Sequence, residues 1–228
     1  MATDWSVPAA WPGATAFILG GGPSLAGQGT DRLAGQRVIA VNSSYIAHAF
    51  ADYLFSADAR WLRLHQKALE GPWRGRVVTV SAAADWDGLL HLRKVHPPVK
   101  GKPGGTAVST DRRAVAVRRS SLHGAINLAV LLGATRLVLL GADGGPHGKR
   151  RSHHAPHPWA QKKGCWDEQY WDLSTTAAPL AALGVEVVNA SPGSRWDLWP
   201  IVTLNSVLAR EAGRAANPGP SAQLETKV

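Results

Sequence analysis

The stretch Ala16-Phe17-Ile18-Leu19-Gly20-Gly21-Gly22-Pro23-Ser24 decides the fold, because an apolar run ends abruptly in glycines, a proline and a serine. A near-continuous apolar run is typical of a parallel strand that is covered on both faces. Glycines allow a tight turn, and Pro23 suits the first turn of a helix, where its missing N–H would be unpaired anyway. The pattern predicts a strand, a turn and the start of a helix, with backbone N–H groups and the Ser24 hydroxyl facing an anion. A tight turn without a ligand is the alternative, since the stretch is neither a P-loop nor a full dinucleotide fingerprint.

Similar apolar runs recur along the chain, and stretches with three- and four-residue apolar spacing lie between them. The runs predict strands at 16–19, 38–41, 53–55, 77–80, 137–140 and 185–188, and helices at 61–68, 122–132 and 166–183. This alternation predicts a single Rossmann-like α/β domain, a mostly parallel sheet with helices on both faces. We expect the domain to span 14–210, with a loop-rich insertion at about 91–121 and a disordered tail at 213–228.

The residues that follow the strands are the candidate binding site, because open parallel sheets bind ligands at the carboxyl ends of their strands. Polar or glycine residues stand at most of these positions. For a nucleotide or its phosphates the candidates are Gly20, Gly21, Gly22, Pro23, Ser24, Asn42, Asp58, Asn189 and Ser194. Asp58 and Asp143 suit three roles equally: a contact to ribose hydroxyls, a metal ligand or a helix cap.

A basic, histidine-rich loop at 147–163 supplies candidate catalytic groups. Histidine acts as a general base near neutral pH, and arginine or lysine beside it neutralises a leaving diphosphate or grips a nucleic-acid backbone. A metal held with Asp143 and a merely solvated basic loop are the alternatives. The catalytic candidates are His153, His154, His157 and Asp143, and the phosphate-binding candidates are Lys149, Arg150 and Arg151.

Composition narrows the class of protein and the range of partners. Of 228 residues 45% are hydrophobic and 18% charged, which excludes a mainly disordered chain. The formal charge of +9 favours a polyanionic partner such as nucleic acid. A single cysteine, Cys165, excludes an intramolecular disulfide and a four-cysteine zinc site. The start of the chain lacks the pattern of a signal peptide and no apolar run suits a membrane span, so we expect a cytoplasmic protein without a membrane partner.

The order of the motifs resembles a known superfamily. Its members are archaeal 6-hydroxymethylpterin pyrophosphokinases, flagellin glycosyltransferases of the motility-accessory type and bacterial lipo-oligosaccharide sialyltransferases. The resemblance rests on 18–25, 39–42, 51–58 and 121–143, and the stretch 141–200 also looks like small phage-encoded proteins of the superfamily. It implies that the glycine turn and Asn42 bind the nucleotide, and that Ser121 and Gly124 belong to the helix that precedes a strand ending in Gly-x-Asp, here at Asp143. The spacing from Ser121 to Gly124 departs from the pattern of the sialyltransferases.

The resemblance implies a transferase that uses a nucleotide-activated donor, above all a glycosyltransferase with a nucleotide sugar as substrate. The likeness to phage-encoded proteins adds a hydroxymethylated DNA base as acceptor and the host cytoplasm as the place of action. Two alternatives stay open: a pyrophosphokinase or other phosphoryl transferase that needs ATP and a divalent ion, and a non-catalytic binder of a nucleotide or nucleic acid. The sequence leaves the metal requirement and the oligomeric state open.

Overall fold

A parallel sheet forms the centre of the protein in the computed structural model, which describes residues 5–102, 104–159 and 162–216. Within the described residues the strands are β1 Thr15–Leu19, β2 Arg37–Val41, β3 Tyr53–Ser56, β4 Arg76–Thr79, β5 Leu90–His91, β6 Arg93–Val95, β7 Ala114–Ala116, β8 Arg136–Leu140 and β9 Glu186–Asn189. The main sheet has the order β5-β4-β3-β2-β1-β8-β9 with every pair parallel, and β6 pairs with β7 separately.

Helices cover both faces of the main sheet. They are α1 Ala59–Glu70, α2 Ser121–Leu132, α3 Cys165–Ser174, α4 Ala177–Ala182 and α5 Leu204–Ala216. Side chains alternate along the strands, so Ile18 packs with α2, α3 and α4, whereas Phe17 and Leu19 pack with α1 and α5. The predicted fold class is therefore confirmed. No helix in the described part of the chain is both long and apolar enough to cross a membrane.

Each predicted strand is present within one residue of its expected bounds, but the single helix predicted over 166–183 is wrong. The chain forms two helices there, α3 and α4. The hydroxyls of Ser174, Thr175 and Thr176 donate to the carbonyl oxygens three residues before them, at 2.7, 2.6 and 2.7 Å. These bonds compete with the helical backbone ladder, and Pro179 has no N–H to continue it.

The predicted insertion at about 91–121 holds β6 and β7 and is anchored on α2. The Asn127 side chain accepts from Ser109 N at 2.9 Å and Ala116 N at 2.8 Å, and it donates to Ser109 O at 2.9 Å. Helix α5 was not predicted, although Leu204, Val207 and Leu208 have helical spacing. It extends to Ala216, so the tail expected from 213 is helical at its start, and residues 217–228 lie outside the described part.

The order of the main sheet reverses between β1 and β8. From β1 the chain builds outward through β2, β3 and β4, and it then returns to place β8 on the other side of β1. Connections that leave neighbouring strands in opposite directions open a crevice beyond the carboxyl ends of those strands. The fold therefore places a cleft where the glycine turn after β1 meets the turn after β8.

Replacing Gly124 by alanine is expected to destabilise the protein by about 1–3 kcal/mol, because a methyl group there would overlap the buried Phe55 ring of β3. Denaturant unfolding measures the loss. Gly213→Ala in α5 is the control: the space around it is open, and alanine favours a helix. Equal stability of the two variants would contradict the close packing of α2 on β3.

Candidate active site at the reversal of strand order

A cleft of about 840 Å³ lies beyond the carboxyl ends of β1 and β8. Its volume suits a ligand of nucleotide size. The strand-end turns, the starts of α1 and α2, the histidine-rich loop and part of α3 line it. Among the residues predicted from sequence, the cleft is lined by Gly20, Gly21, Gly22, Asn42, Asp58, Ser121, Asp143, Lys149, Arg150, Arg151, His154 and His157.

The floor of the cleft is backbone, because two glycine turns touch there. Gly20 N donates to Leu140 O at 2.7 Å, and Gly22 N donates to Gly141 O at 2.8 Å. A Cβ atom at Gly20 would lie 2.6 Å from Gly141 O, and Gly141 itself has a φ of +66°. Only glycine fits such an approach, so the glycine motif serves the contact between strands β1 and β8.

Asp143 is buried behind this floor and is held by Ser24. Its carboxylate accepts from Ser24 N at 3.2 Å and from Ser24 Oγ at 3.0 Å, and His147 Nε2 lies 3.0 Å from Oδ1. Burial raises the pKa of Asp143, while the Ser24 bonds and the charge of a protonated His147 oppose the rise. In place of the expected anion contact, Ser24 therefore binds a carboxylate of its own chain. The expected helix after the turn is also only a three-residue 3₁₀ helix, Pro23–Leu25.

Asn42 has the strained backbone and the unpaired side chain that often mark a binding site. Its φ is +51°, a left-handed conformation that is uncommon outside glycine. Its Oδ1 atom is buried and has no hydrogen-bond partner among the described residues. Because buried acceptors are normally paired, this unpaired amide beside the cleft is a candidate contact for an N–H or O–H group of a ligand.

Asp58 and Ser121, the first residue of α2, both hold the segment that begins α1. Asp58 Oδ1 accepts from Arg60 N at 2.8 Å and Trp61 N at 3.4 Å, which makes it the cap of α1. Ser121 Oγ accepts from Ala57 N at 3.1 Å. Of the three roles that suited Asp58, the structure shows the helix cap.

Asn189, Ser194 and Gly124 do not line the cleft. Asn189 Nδ2 donates to Ala142 O at 3.2 Å and to Ser194 Oγ at 3.0 Å, and Ser194 Oγ donates to Ala142 O at 2.8 Å. Both side chains thus fix the turn that follows β8, and Gly124 packs on Phe55. The polar residues after β9 support the site from behind.

His153 anchors the histidine-rich loop to the glycine turn. Its Nε2 lies 3.2 Å from Ser44 Oγ, which donates to Gly20 O at 2.8 Å, so Nε2 carries the proton of this pair. Burial lowers the pKa of His153 to about 4, and the charges of His154 and Arg150 add to the effect. His153 is therefore neutral at pH 7, and it does not line the cleft.

His154 presents a lone pair beside the cleft. Its Nδ1 lies 2.7 Å from Ala155 O, and a carbonyl only accepts, so Nδ1 carries the proton and Nε2 does not. Nε2 has no partner among the described residues, and a Cβ atom at Gly21 would lie 3.8 Å from it. Burial lowers the pKa of His154, which keeps the ring neutral at pH 7. His154 can therefore accept a proton from a group in the cleft.

His157 also lines the cleft, but its ring is part of an aromatic stack. It lies parallel to Trp159 with centroids 5.1 Å apart, and the Arg60 guanidinium covers the same indole at 4.9 Å. Burial first, and then the charge of His154, lower the pKa of His157. No group of three or more histidine, cysteine, aspartate or glutamate side chains in the described ranges can hold a metal ion.

Three arginines that were not predicted from sequence line the cleft: Arg60, Arg118 and Arg119. Arg118 lies 3.6 Å from Asp172, and Arg119 lies 3.5 Å from Glu168. They were missed because Arg60 lies inside α1, and because Arg118 and Arg119 follow β7, a three-residue strand that was not predicted. Their signal was the pair of arginines directly before the serines that begin α2.

The predicted cations of the loop have different surroundings. Arg150 donates to Ser152 O and His153 O, both at 3.1 Å, and so braces the loop. The Arg151 guanidinium lies 4.5 Å from the ring centroid of Trp166 on the cleft wall. Lys149 is exposed. Together with the three arginines they give the cleft a positive lining.

Comparison with known proteins shows a similarity of fold to one solved structure. No protein-family model and no curated protein matches the sequence. The fold is similar to that of the sialyltransferase CstII from Campylobacter jejuni, solved in complex with a substrate analogue, cytidine-5'-monophosphate. The TM-score is 0.51 at 11% identity, over 84% of this chain and 86% of that chain. At this identity the similarity is one of fold, and it agrees with the parallel α/β sheet described above.

The free energy of unfolding should fall as the pH is lowered from 7 to 5, partly because of His153. Its pKa in the folded chain, about 4, is below the ordinary 6.5, so between these values the unfolded chain binds a proton that the folded chain does not. His153→Gln should remove roughly 1–2 kcal/mol of this loss, since the ring is only partly buried and solvent screens part of the effect. Denaturant unfolding at both pH values measures it, with His96→Gln, an exposed histidine outside the loop, as control. An unchanged pH dependence in His153→Gln would contradict the buried neutral state.

Proposed function

We propose that the chain is a transferase with a nucleotide-activated donor, a glycosyltransferase that takes its sugar from a nucleotide sugar. The observation that carries the proposal is the neutral His154 with an unpaired Nε2 at the reversal point of a parallel sheet. Such points are where α/β sheets bind nucleotides, and a neutral imidazole is a base at pH 7. The likeness of fold to a sialyltransferase solved with cytidine monophosphate supports this choice of reaction.

The donor would lie along the ends of β1 and β2. The glycine floor lets a ligand approach the backbone closely, and Asn42 Oδ1 supplies an acceptor for an N–H or O–H of the nucleotide. Arg118, Arg119 and Lys149 would offset the negative charge of the phosphates. Because Asp172 and Glu168 hold the two arginines, their positions are set before a ligand arrives.

In the reaction, the hydroxyl oxygen of the acceptor forms a bond to the anomeric carbon of the sugar. Its proton goes to His154 Nε2, and the bond from the anomeric carbon to the phosphate oxygen breaks. The electron pair of that bond leaves with the nucleotide, where the cations of the cleft stabilise it. From the resemblance to phage-encoded proteins, we propose a hydroxymethylated base in DNA as the acceptor.

A thermal-shift panel of nucleotides, nucleotide sugars and ATP, with and without magnesium, tests the donor. One nucleotide sugar and its bare nucleotide should raise the melting temperature, because a ligand held only by the folded state stabilises that state. Stabilisation by magnesium-ATP alone would favour a phosphoryl transferase instead. A flat panel would contradict the nucleotide cleft.

His154→Gln should lower kcat by about 10²–10⁴-fold, because the acceptor hydroxyl loses its base. The variant should keep the thermal shift given by the nucleotide, since the glycine floor and Asn42 are unchanged. Turnover is measured as nucleotide released in the presence of hydroxymethylated DNA, with unmodified DNA of the same sequence beside it.

The exposed His96→Gln serves as the matched control and should keep full turnover. Full turnover in His154→Gln would contradict the assignment of the base. If the wild type binds the nucleotide but releases none with any acceptor, the non-catalytic binder is the better account.

A further inference from the structure

A second groove, of about 730 Å³, lies at the opposite edge of the main sheet from the cleft. Arg37, Tyr53 and Arg76, which line it, are the first residues of β2, β3 and β4. The groove is therefore at the amino-terminal edge, one strand length from the carboxyl ends that form the cleft. Phe50 and Arg74 also line it.

In the described part of the chain, the groove carries more positive than negative charge. Arg37, Arg74 and Arg76 are exposed, and none of them forms an ion pair with another described residue. The one acidic side chain among the described residues that line the groove is Asp52, whose Oδ2 accepts from Val38 N at 2.8 Å. In the cleft, by contrast, Arg118 and Arg119 are paired with acidic residues. Among the described residues these three arginines have no anionic partner, so the groove presents them to an anion from outside.

An exposed aromatic ring stands beside these cations. Phe50 is 71% exposed, on the segment between β2 and β3. Trp11 and Tyr53 line the same groove, and their buried rings pack edge to face with centroids 5.5 Å apart. The Phe50 ring also meets the buried His48 ring edge to face, with centroids 5.9 Å apart. An exposed ring in a groove lined by arginines matches the way in which proteins bind single strands: bases stack on the ring while the cations follow the phosphates.

We propose that this groove binds single-stranded nucleic acid at a surface separate from the cleft. The net charge of +9 supplies the complementary long-range attraction. The two sites are separated by the length of the strands, roughly 15 Å at about 3.3 Å per residue, so a strand of several nucleotides is needed to reach from one to the other. The groove anchors a polymer, whatever reaction the cleft carries out.

The test is fluorescence anisotropy with a labelled single-stranded oligothymidylate at several salt concentrations. The groove variant carries Arg37→Gln, Arg74→Gln and Arg76→Gln. The matched control carries Arg93→Gln, Arg112→Gln and Arg210→Gln, three exposed arginines outside both sites, and so loses the same net charge. At 0.1 M salt the groove variant should bind about a hundredfold more weakly, and its log–log salt slope should be shallower by about 2. The control should stay within a few-fold of the wild type.

Phe50→Ala separates stacking from charge. It should weaken binding about tenfold and leave the salt slope unchanged, and the exposed position makes a folding defect unimportant. Equal losses in the two triple variants, no measurable binding by the wild type, or full affinity in Phe50→Ala would each overturn the proposal. No donor is present in the assay, so its outcome is independent of the reaction in the cleft.

Discussion

The close contact of two backbone turns, at the carboxyl ends of β1 and β8, is the constraint on which the rest of the site depends. The strands pair in register from Thr15 with Arg136 to Leu19 with Leu140, which brings the following glycines together. A side chain at Gly22 would overlap the Asp143 carboxylate, so the turn must be glycine for that carboxylate to reach Ser24. The floor of the cleft is therefore bare backbone, and the side chains that can contact a ligand stand on its walls.

The histidine-rich loop is attached to this floor, and as a result two neighbouring histidines have different roles. Gly20 O, Ser44 Oγ and His153 Nε2 form a short chain of hydrogen bonds that fixes the loop. His154 is then held beside Gly21 with its proton on the nitrogen that faces its own backbone. Burial lowers the pKa of both rings, but only His154 leaves a lone pair at the cleft. His153 thus holds the loop in place, and His154 has the free nitrogen that can take up a proton.

The sequence allowed the strands and the edge of the site to be predicted, because a parallel strand covered on both faces requires a continuous apolar run. It did not allow the partners of the polar residues to be predicted. Ser24 contacts a carboxylate 119 positions away, and residue type alone does not distinguish that contact from one to a ligand. Strand β5 has two residues and gives no periodicity. The hydroxyl bonds of Thr175 and Thr176 that divide α3 from α4 depend on local competition, which apolar spacing does not report.

The position of β1 in the middle of the sheet has a consequence for how the chain folds. Its neighbour β2 follows within about 20 residues, whereas β8 follows only after about 120. During synthesis β1 to β4 can pair early, while the other edge of β1 keeps unpaired N–H and C=O groups until β8 emerges. Pairing between such distant segments is slow and leaves the open edge exposed to other chains. The pairing of β8 with β1 therefore closes this open edge and, in the same step, completes the cleft between the two strands.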